Sequence, residues 1–239
     1  MGDQFEKSSW AQQGEDLIVD FLFSCYVKKN VKKQKVKYLD IGANAPKWLS
    51  NTYFFYLKNE FGGGVLVEPN PQLCEQLMQE RPQDIILNCG VGIEESVLPF
   101  YFMDADTLNS FSMQAVQDAI NAGHKLLGYI DVKVIPIAWI FEQYGKMDFI
   151  SIDVEGLDFE ILKAIDYDLY APYVICIETA EYGAFAKRKD MDDIVRFMKA
   201  KGYCVYADNY INTIFVKQDV ITETIEKENA QRRARNDIG

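Results

Sequence analysis

The amino-acid sequence predicts an α/β protein: a mostly parallel sheet with helices on both faces. Three observations predict it. Short apolar runs alternate with amphipathic stretches along the chain. Several runs meet an acid and then small or turn-forming residues, as in Tyr38-Leu39-Asp40-Ile41-Gly42-Ala43-Asn44 and Val65-Leu66-Val67-Glu68-Pro69-Asn70. The last two apolar runs, Tyr203–Ala207 and Ile211–Val216, flank Asp208-Asn209-Tyr210 and read as a hairpin. A hairpin there turns the last strand antiparallel to the others.

The elements follow in order. Leu17, Ile18, Phe21, Leu22 and Cys25 share one face of a helix predicted over Glu15 to Cys25. Lys28 to Lys37 carries six lysines, a solvated connection or a phosphate-attracting patch. Val36–Ile41 is the first strand. A helix over Ser50 to Glu60 has Ser50 or Asn51 as its cap and Gly62-Gly63-Gly64 at its end. Its aromatics Tyr53, Phe54, Phe55 and Tyr56 read as core. Val65–Glu68 is the second strand. Asn70 and Pro71 open a helix that runs to Arg81. Ile85–Cys89 is the third strand, and Gly90-Val91-Gly92 the turn after it. Val97 to Met103 is an added strand, Met113 to Ala122 a helix and Val132–Ile135 a short strand. Met147 to Asp153 is the next strand, and Leu157 to Ile165 a helix. Tyr173 to Ile177 is a strand ending at Glu178, and Asp190 to Lys201 a helix before the hairpin. The polar tail from Glu223 to Gly239 is expected to fray.

Composition limits function. The chain has 239 residues, enough for one large domain with a real core. Its net charge is −11, which disfavours nucleic acid and anionic membrane surfaces as partners. The five cysteines are widely spaced and form no CxxC pair. The first ten residues are polar, and no apolar stretch reaches membrane-spanning length. A reducing, cytoplasmic setting is expected.

The acids at the strand ends suit a nucleoside-bearing ligand. Gly42 would let the backbone approach that ligand, and Asp40 would hold an ammonium group directly or through water. Glu68 would accept two ribose hydroxyls. It follows Asp40 by 28 residues, and Asn44 and Lys47 stand where a dinucleotide fingerprint has glycines. A cofactor without a pyrophosphate therefore fits better.

The sequence resembles the FkbM-type methyltransferases, which use S-adenosylmethionine. The resemblance rests on Gln12-Gln13-Gly14-Glu15-Asp16, Asp40-Ile41-Gly42-Ala43-Asn44, Ser50-Asn51-Thr52, Glu68-Pro69-Asn70-Pro71, Asp148 to Gly156 and Ile175-Cys176-Ile177-Glu178. It implies a Rossmann-like class I methyltransferase fold: a seven-stranded, mostly parallel sheet with an antiparallel last strand. The whole chain would be one domain, with a helical cap and lysine-rich connection over 1–35 and a polar tail over 220–239. In one departure, Ser151 stands where many members carry lysine.

Carried over, the resemblance implies that Asp40, Gly42 and Asn44 hold the methionine part of the cofactor. Ser50, Asn51 and Thr52, near a helix start, would receive its carboxylate. Glu68 would take the ribose, with Pro69 and Asn70 shaping the turn beside it. Asn88, Cys89 and Gly90 would border the adenine, and Gln12, Glu15 and Asp16 would close the pocket. Asp153 would sit near the sulfonium, with Glu155 on the same face of an extended chain. These two and the lone His124 are the candidates for removing a hydroxyl proton. Asp153, Glu155 and Glu178 would also suit a divalent cation. Ser110-Phe111-Ser112 is placed near the acceptor.

The function expected is methyl transfer to a hydroxyl of a sugar, glycan precursor or natural product, leaving S-adenosylhomocysteine. The partners expected are a small-molecule or carbohydrate acceptor, with homo-oligomerisation left open. A nicotinamide-dependent oxidoreductase and a non-catalytic cofactor-binding module are the competing readings.

Overall fold

In the computed structural model, residues 7–27, 35–59, 63–154, 156–179 and 191–236 are described. Among them, the central element is a seven-stranded sheet. Its strands are β1 (Tyr38–Ile41), β2 (Gly64–Val67), β3 (Ile85–Leu87), β7 (Phe149–Ile152), β8 (Val174–Glu178), β9 (Tyr203–Asp208) and β10 (Asn212–Lys217). The spatial order is β3-β2-β1-β7-β8-β10-β9. β1 pairs in parallel with β2 and β7, and β10 runs antiparallel to both β8 and β9. The expected closing hairpin is present, and its second arm is the strand inserted between β8 and β9.

Strands β1, β2 and β7 are buried at every position, as a parallel sheet covered on both faces requires. Alternate residues serve opposite faces. Leu39, Ile41, Ile150, Ile152, Ile175 and Ile177 pack on one side, against α5 (Ile137–Tyr144), α6 (Asp158–Lys163) and α8 (Met191–Ala200). Tyr38, Leu66, Phe149, Val174 and Cys176 pack on the other. That side is covered by α1 (Glu15–Leu22), α2 (Tyr53–Lys58), α3 (Pro71–Glu80) and α9 (Gln218–Asn236). In β1 this alternation puts Asp40 on the same side as Tyr38, toward α2.

Local chemistry explains the helix starts. Asn70 accepts the Gln72 N–H at 3.0 Å with Pro71 at the first helical position, as the sequence indicates. The first helix is shorter than expected in α-form, because it turns into a π-helical stretch over Phe23–Val27. Phe55 ties that stretch to the sheet: its ring centroid lies 6.0 Å from Phe23, 6.5 Å from Tyr38 and 5.5 Å from Phe149.

Four expectations need correction. Gly90–Gly92 is strand β4 rather than a turn, and it pairs in parallel with the end of β6 (Leu126–Pro136). β6 is an eleven-residue strand, of which the apolar pattern exposes only the buried end at Val132, Val134 and Ile135. With β5 (Ser96–Met103) it completes a second sheet, in the order β4-β6-β5. Helices α5 and α7 (Tyr167–Tyr170) were not expected. The tail is not frayed over the described residues, because α9 continues to Asn236. Its glutamate, lysine, glutamine, alanine and arginine residues are strong helix formers, and Val220 and Thr224 are buried. The remaining helix is α4 (Met113–Asn121), capped by Ser112.

All five cysteines are free. No helix among the described residues is long and apolar enough to cross a membrane. Most of the lysine-rich connection lies outside the described residues.

Phe55→Ala should lower unfolding stability by about 3–5 kcal/mol, measured by chemical denaturation, because it removes a fully buried ring shared by four neighbours.

Candidate functional site

The carboxyl ends of β1, β2, β7 and β8 open into a cavity of about 250 Å³. Its floor starts at the turn after β1. Gly42 N–H and Ala43 N–H donate to the Val67 carbonyl at 3.0 and 3.1 Å, and Asp153 N–H donates to the Ile41 carbonyl at 3.0 Å. The neighbouring strand ends are thereby stitched together. Gly42 has φ +84°, and a Cβ there would lie 1.8 Å from the Asp153 carbonyl oxygen. Glycine is required at this point by the approach of the chain after β7. Gly42 also lines the cavity.

Asn44 also adopts a left-handed conformation, with φ 48°. That conformation aims its N–H at Glu68 Oε2, 2.8 Å away. Glu68 Oε1 accepts from Asn70 N–H at 2.8 Å. Two backbone amides thus clamp one buried carboxylate, and the residue still borders the cavity. Burial pushes Glu68 up to about 7, against the pull of the two amides.

Asp40 is buried and lines the floor. Its Oδ2 accepts the Thr52 hydroxyl at 2.6 Å. Burial raises its pKa, while Thr52 and the buried Arg81 oppose the rise. Asn51 donates to Ser151 Oγ at 3.1 Å, and its Oδ1 is buried with no hydrogen-bond partner among the described residues. Asp153, half-buried in the wall, is also pushed up. Burial is the main cause, followed by the carboxylates of Asp158, Asp40, Glu15 and Glu68.

The structure brings most of the expected residues together. Gln12, Asp40, Gly42, Asn44, Ser50, Asn51, Glu68, Pro69, Cys89, Gly90, Asp153 and Glu178 all border the cavity. Asn70 instead caps α3 and clamps Glu68. Asn88 braces the turn after β2 by donating to the Glu68 and Pro69 carbonyls at 3.0 Å. Gly90 is crowded by Phe111, whose Cζ would lie 2.7 Å from an added Cβ.

Other expected residues are placed elsewhere. Thr52 is fully buried beneath Asp40 and does not border the cavity. The N–H groups of Thr52 and Tyr53 both donate to Ser50 Oγ, at 3.4 and 3.2 Å, so these two amides of the helix start are already engaged. Glu15 and Asp16 are buried, not a solvated turn. Glu15 Oε1 accepts from Asn209 and Asn212 at 2.7 and 2.8 Å, which pins the hairpin tip. Asp16 holds Ser9 and the Trp10 N–H at 2.6 and 2.8 Å. His124 is not brought to the cavity: it pairs with Asp104 2.9 Å away, where the loop before β6 leads outward. Glu155 lies outside the described residues. Among the described residues, no group of three or more His, Cys, Asp or Glu is arranged to hold a metal ion.

Sequence reasoning missed two contributors. Asp158 accepts from Val154 N–H and Gly156 N–H, both at 3.0 Å, and so shapes the loop that carries Asp153. An acid in the first turn of a helix was the available signal. Phe100, Asp106, Thr107, Leu108 and Asn109 form a wall beside Phe111. They come from β5 and the turn after it, whose placement beside the strand ends has no local signature.

A family model for the FkbM methyltransferase domain matches residues 40–205. The chain belongs to the FkbM methyltransferase family. It is accordingly an S-adenosylmethionine-dependent methyltransferase. Among curated proteins none matches significantly. Solved structures with a similar course of the chain include a TehB-like S-adenosylmethionine-dependent methyltransferase from Corynebacterium glutamicum, at 12% identity and TM-score 0.40, covering 85% of this chain and 87% of that one. Another is a precorrin-6y C5,15-methyltransferase from Geobacter metallireducens, at 14% identity and TM-score 0.42, covering 90% and 93%.

The site of this FkbM-family chain fits the family's cofactor on its own chemistry. Five carboxylates, Asp40, Glu68, Asp106, Asp153 and Glu178, border the cavity, with no Lys, Arg or His among the described lining residues. That wall suits a ligand bearing a sulfonium and an ammonium. The orphaned Asn51 Oδ1 is an acceptor awaiting a donor.

Gly42→Ala should cost more than ~2 kcal/mol, because the new Cβ meets a backbone carbonyl and a left-handed φ. Denaturation of the cofactor-free chain measures it, and a wild-type midpoint would contradict the packing role. Glu68 has its own pH signature. Its folded value of about 7 lies above the ordinary 4.5, so its contribution to stability is fully present below 4.5 and is lost as pH rises through 7. The effect is worth up to about 3 kcal/mol. Glu68→Gln should therefore flatten the fall in stability of the cofactor-free chain between pH 5 and 8, measured by denaturation at each pH.

Proposed function

We propose that this methyltransferase methylates a hydroxyl of an uncharged acceptor: a sugar, a glycan precursor or a natural product. Asp153 carries this reading. It is a half-buried cavity carboxylate whose pKa is raised, and a base near neutrality suits removal of a hydroxyl proton. The acidic lining supports the second half of the reading, because an anionic acceptor would meet like charge on the described walls. Phe100, Leu108 and Phe111 add an apolar wall suited to the carbon face of such an acceptor.

When bound, S-adenosylmethionine supplies an electrophilic methyl group. Glu68 would hold its ribose hydroxyls, through carboxylate lone pairs that the Asn44 and Asn70 amides leave open. Asp40 and the Asn51 Oδ1 would receive its ammonium group. Cys89 and Gly90 would border its adenine. Asp153 would take the acceptor proton as the new bond forms. Much of the acceleration would come from alignment of the two reactants, which is worth about 7–11 kcal/mol when complete.

Calorimetric titration with S-adenosylhomocysteine tests the cofactor assignments. Glu68→Ala should weaken binding at least ~10-fold, since it removes an acceptor for two hydroxyls. Unchanged affinity would remove the ribose assignment. A screen of neutral sugars and natural-product alcohols with labelled methyl donor tests the acceptor class; transfer to phosphorylated or carboxylated compounds alone would overturn it. With an acceptor in hand, Asp153→Asn should reduce kcat by about 10²–10⁴-fold. The sign of the pH dependence follows from the raised pKa: protonated Asp153 cannot accept a proton, so wild-type kcat should rise with pH through the neutral range and then level off. A kcat falling with pH there would exclude Asp153 as the base.

A further inference from the structure

Arg81 is fully buried and lies outside the cavity lining. Its charge is answered by Asp84: Arg81 Nε and Nη2 lie 2.9 and 2.8 Å from Asp84 Oδ2. Asp84 also accepts the Tyr38 hydroxyl at 2.8 Å and the Gly64 N–H at 2.9 Å. The rings of Tyr38, Tyr53 and Tyr56 surround the guanidinium, with centroids 5.7, 5.9 and 5.3 Å away. Burying a cation so completely is costly even when it is paired. An apolar side chain would fill the same space more cheaply, unless the remaining donors do something.

Those donors point at the floor of the cavity. Arg81 Nη1 and Nη2 each lie 3.1 Å from Thr52 Oγ1, and Nη1 lies 3.4 Å from Ser50 Oγ. A hydroxyl has one proton and two lone pairs. Arg81 Nη2 also lies 3.2 Å from the Tyr38 hydroxyl. A guanidinium only donates, so the Thr52 proton points away from Arg81. Asp40 Oδ2 is 2.6 Å away, a length typical of a hydroxyl donating to a carboxylate anion. A donor held there orients the carboxylate and, with Arg81, opposes the rise that burial imposes on Asp40.

We infer that Arg81 is a positioning residue for the cofactor site, acting through the Thr52 hydroxyl to hold Asp40 as an oriented, ionised acceptor. The inference rests on the reading of Asp40 as a carboxylate that receives the cofactor. The surroundings make such a device necessary. Asp153 on the chain after β7, Glu68 after β2 and Asp84 after α3 place negative charge around Asp40, Glu15 on α1 adds to the charge on Asp153, and the Cys176 thiol of β8 adds no positive charge. Ser151 of β7 is its other hydroxyl neighbour. Arg81 is the cation that opposes this crowding, and it does so from the side away from the ligand. The cavity face of Asp40 stays open to an ammonium group.

The test measures S-adenosylhomocysteine affinity by calorimetry from pH 5.5 to 8.5 for the full chain, Thr52→Val and Thr52→Ser. Glu68 and Asp153 titrate in all three, so the ratio of affinities isolates Asp40. Thr52→Val keeps the volume and removes the hydroxyl; it should bind about tenfold more weakly at pH 6, with the gap narrowing toward pH 8.5 as Asp40 ionises without help. Thr52→Ser restores the hydroxyl and should rescue both affinity and pH profile. Arg81→Lys, which keeps the charge but loses the fork, should reproduce the Thr52→Val profile and serves if that variant does not fold. A pH-independent loss in the variants would mark a merely structural role and overturn the inference. Identical profiles for wild type, Thr52→Val and Arg81→Lys would overturn it while leaving the cofactor reading intact. Failure of the wild-type chain to bind would overturn both.

Discussion

Carboxylates crowd one end of the central sheet, and the rest of the site answers that crowding. Asp40, Glu68, Asp153 and Glu178 stand at neighbouring strand ends and border one cavity. Like charges in a poorly solvated space repel strongly and raise one another's pKa values. The protein answers each acid differently. Glu68 receives two backbone amides. Asp40 receives a hydroxyl backed by a buried guanidinium. Asp153 receives little, and its pKa rises through burial and its acidic neighbours. A positively charged ligand relieves the remaining tension, so this crowding favours a cationic ligand.

The sheet makes this division possible. Strand alternation sends Asp40 toward α2, where Thr52 and Arg81 wait, while Leu39 and Ile41 pack on the opposite face. The turn over Gly42 brings the ends of β1 and β7 into backbone contact. Glu15 then fastens the hairpin tip from α1. The inserted strand β10 brings Asn212 to the cavity edge, opposite Glu178 in register. Elements far apart in sequence are thus fixed around one set of strand ends.

How much of this was legible depended on the range of the signal. The parallel core was legible because Leu39, Ile41, Ile150 and Ile175 lie in short apolar runs of characteristic length. Asp40 and Glu68 were legible because an acid beside a turn of small or turn-forming residues is local information. Asn70 with Pro71 was legible for the same reason. What escaped was set by distance or by exposure. Thr52 reads as an ordinary helix-start residue, and only the fold brings Arg81 beneath it from a different helix. β6 escaped because most of its residues face solvent and carry no apolar alternation. Glu15 was legible as a pocket-side acid, but its hold on Asn209 and Asn212 appears only when the hairpin tip packs on it.

The second sheet explains how one cavity can serve two ligands. β4 begins two residues after β3 ends, so the segment carrying Cys89 and Gly90 continues directly into the sheet that carries Phe100. The Phe100 ring packs on Phe111 with centroids 4.9 Å apart, and both rings face the cavity. Gly90 has to be small because Phe111 approaches it so closely. The Cys89–Gly90 segment and the apolar wall are therefore one packed unit. A substitution enlarging Gly90 would displace Phe111 and disturb both at once, whereas a change at the exposed Thr107 would act at the mouth. Acceptor preference can in this way vary through the turn after β5 while the strand-end acids keep their geometry.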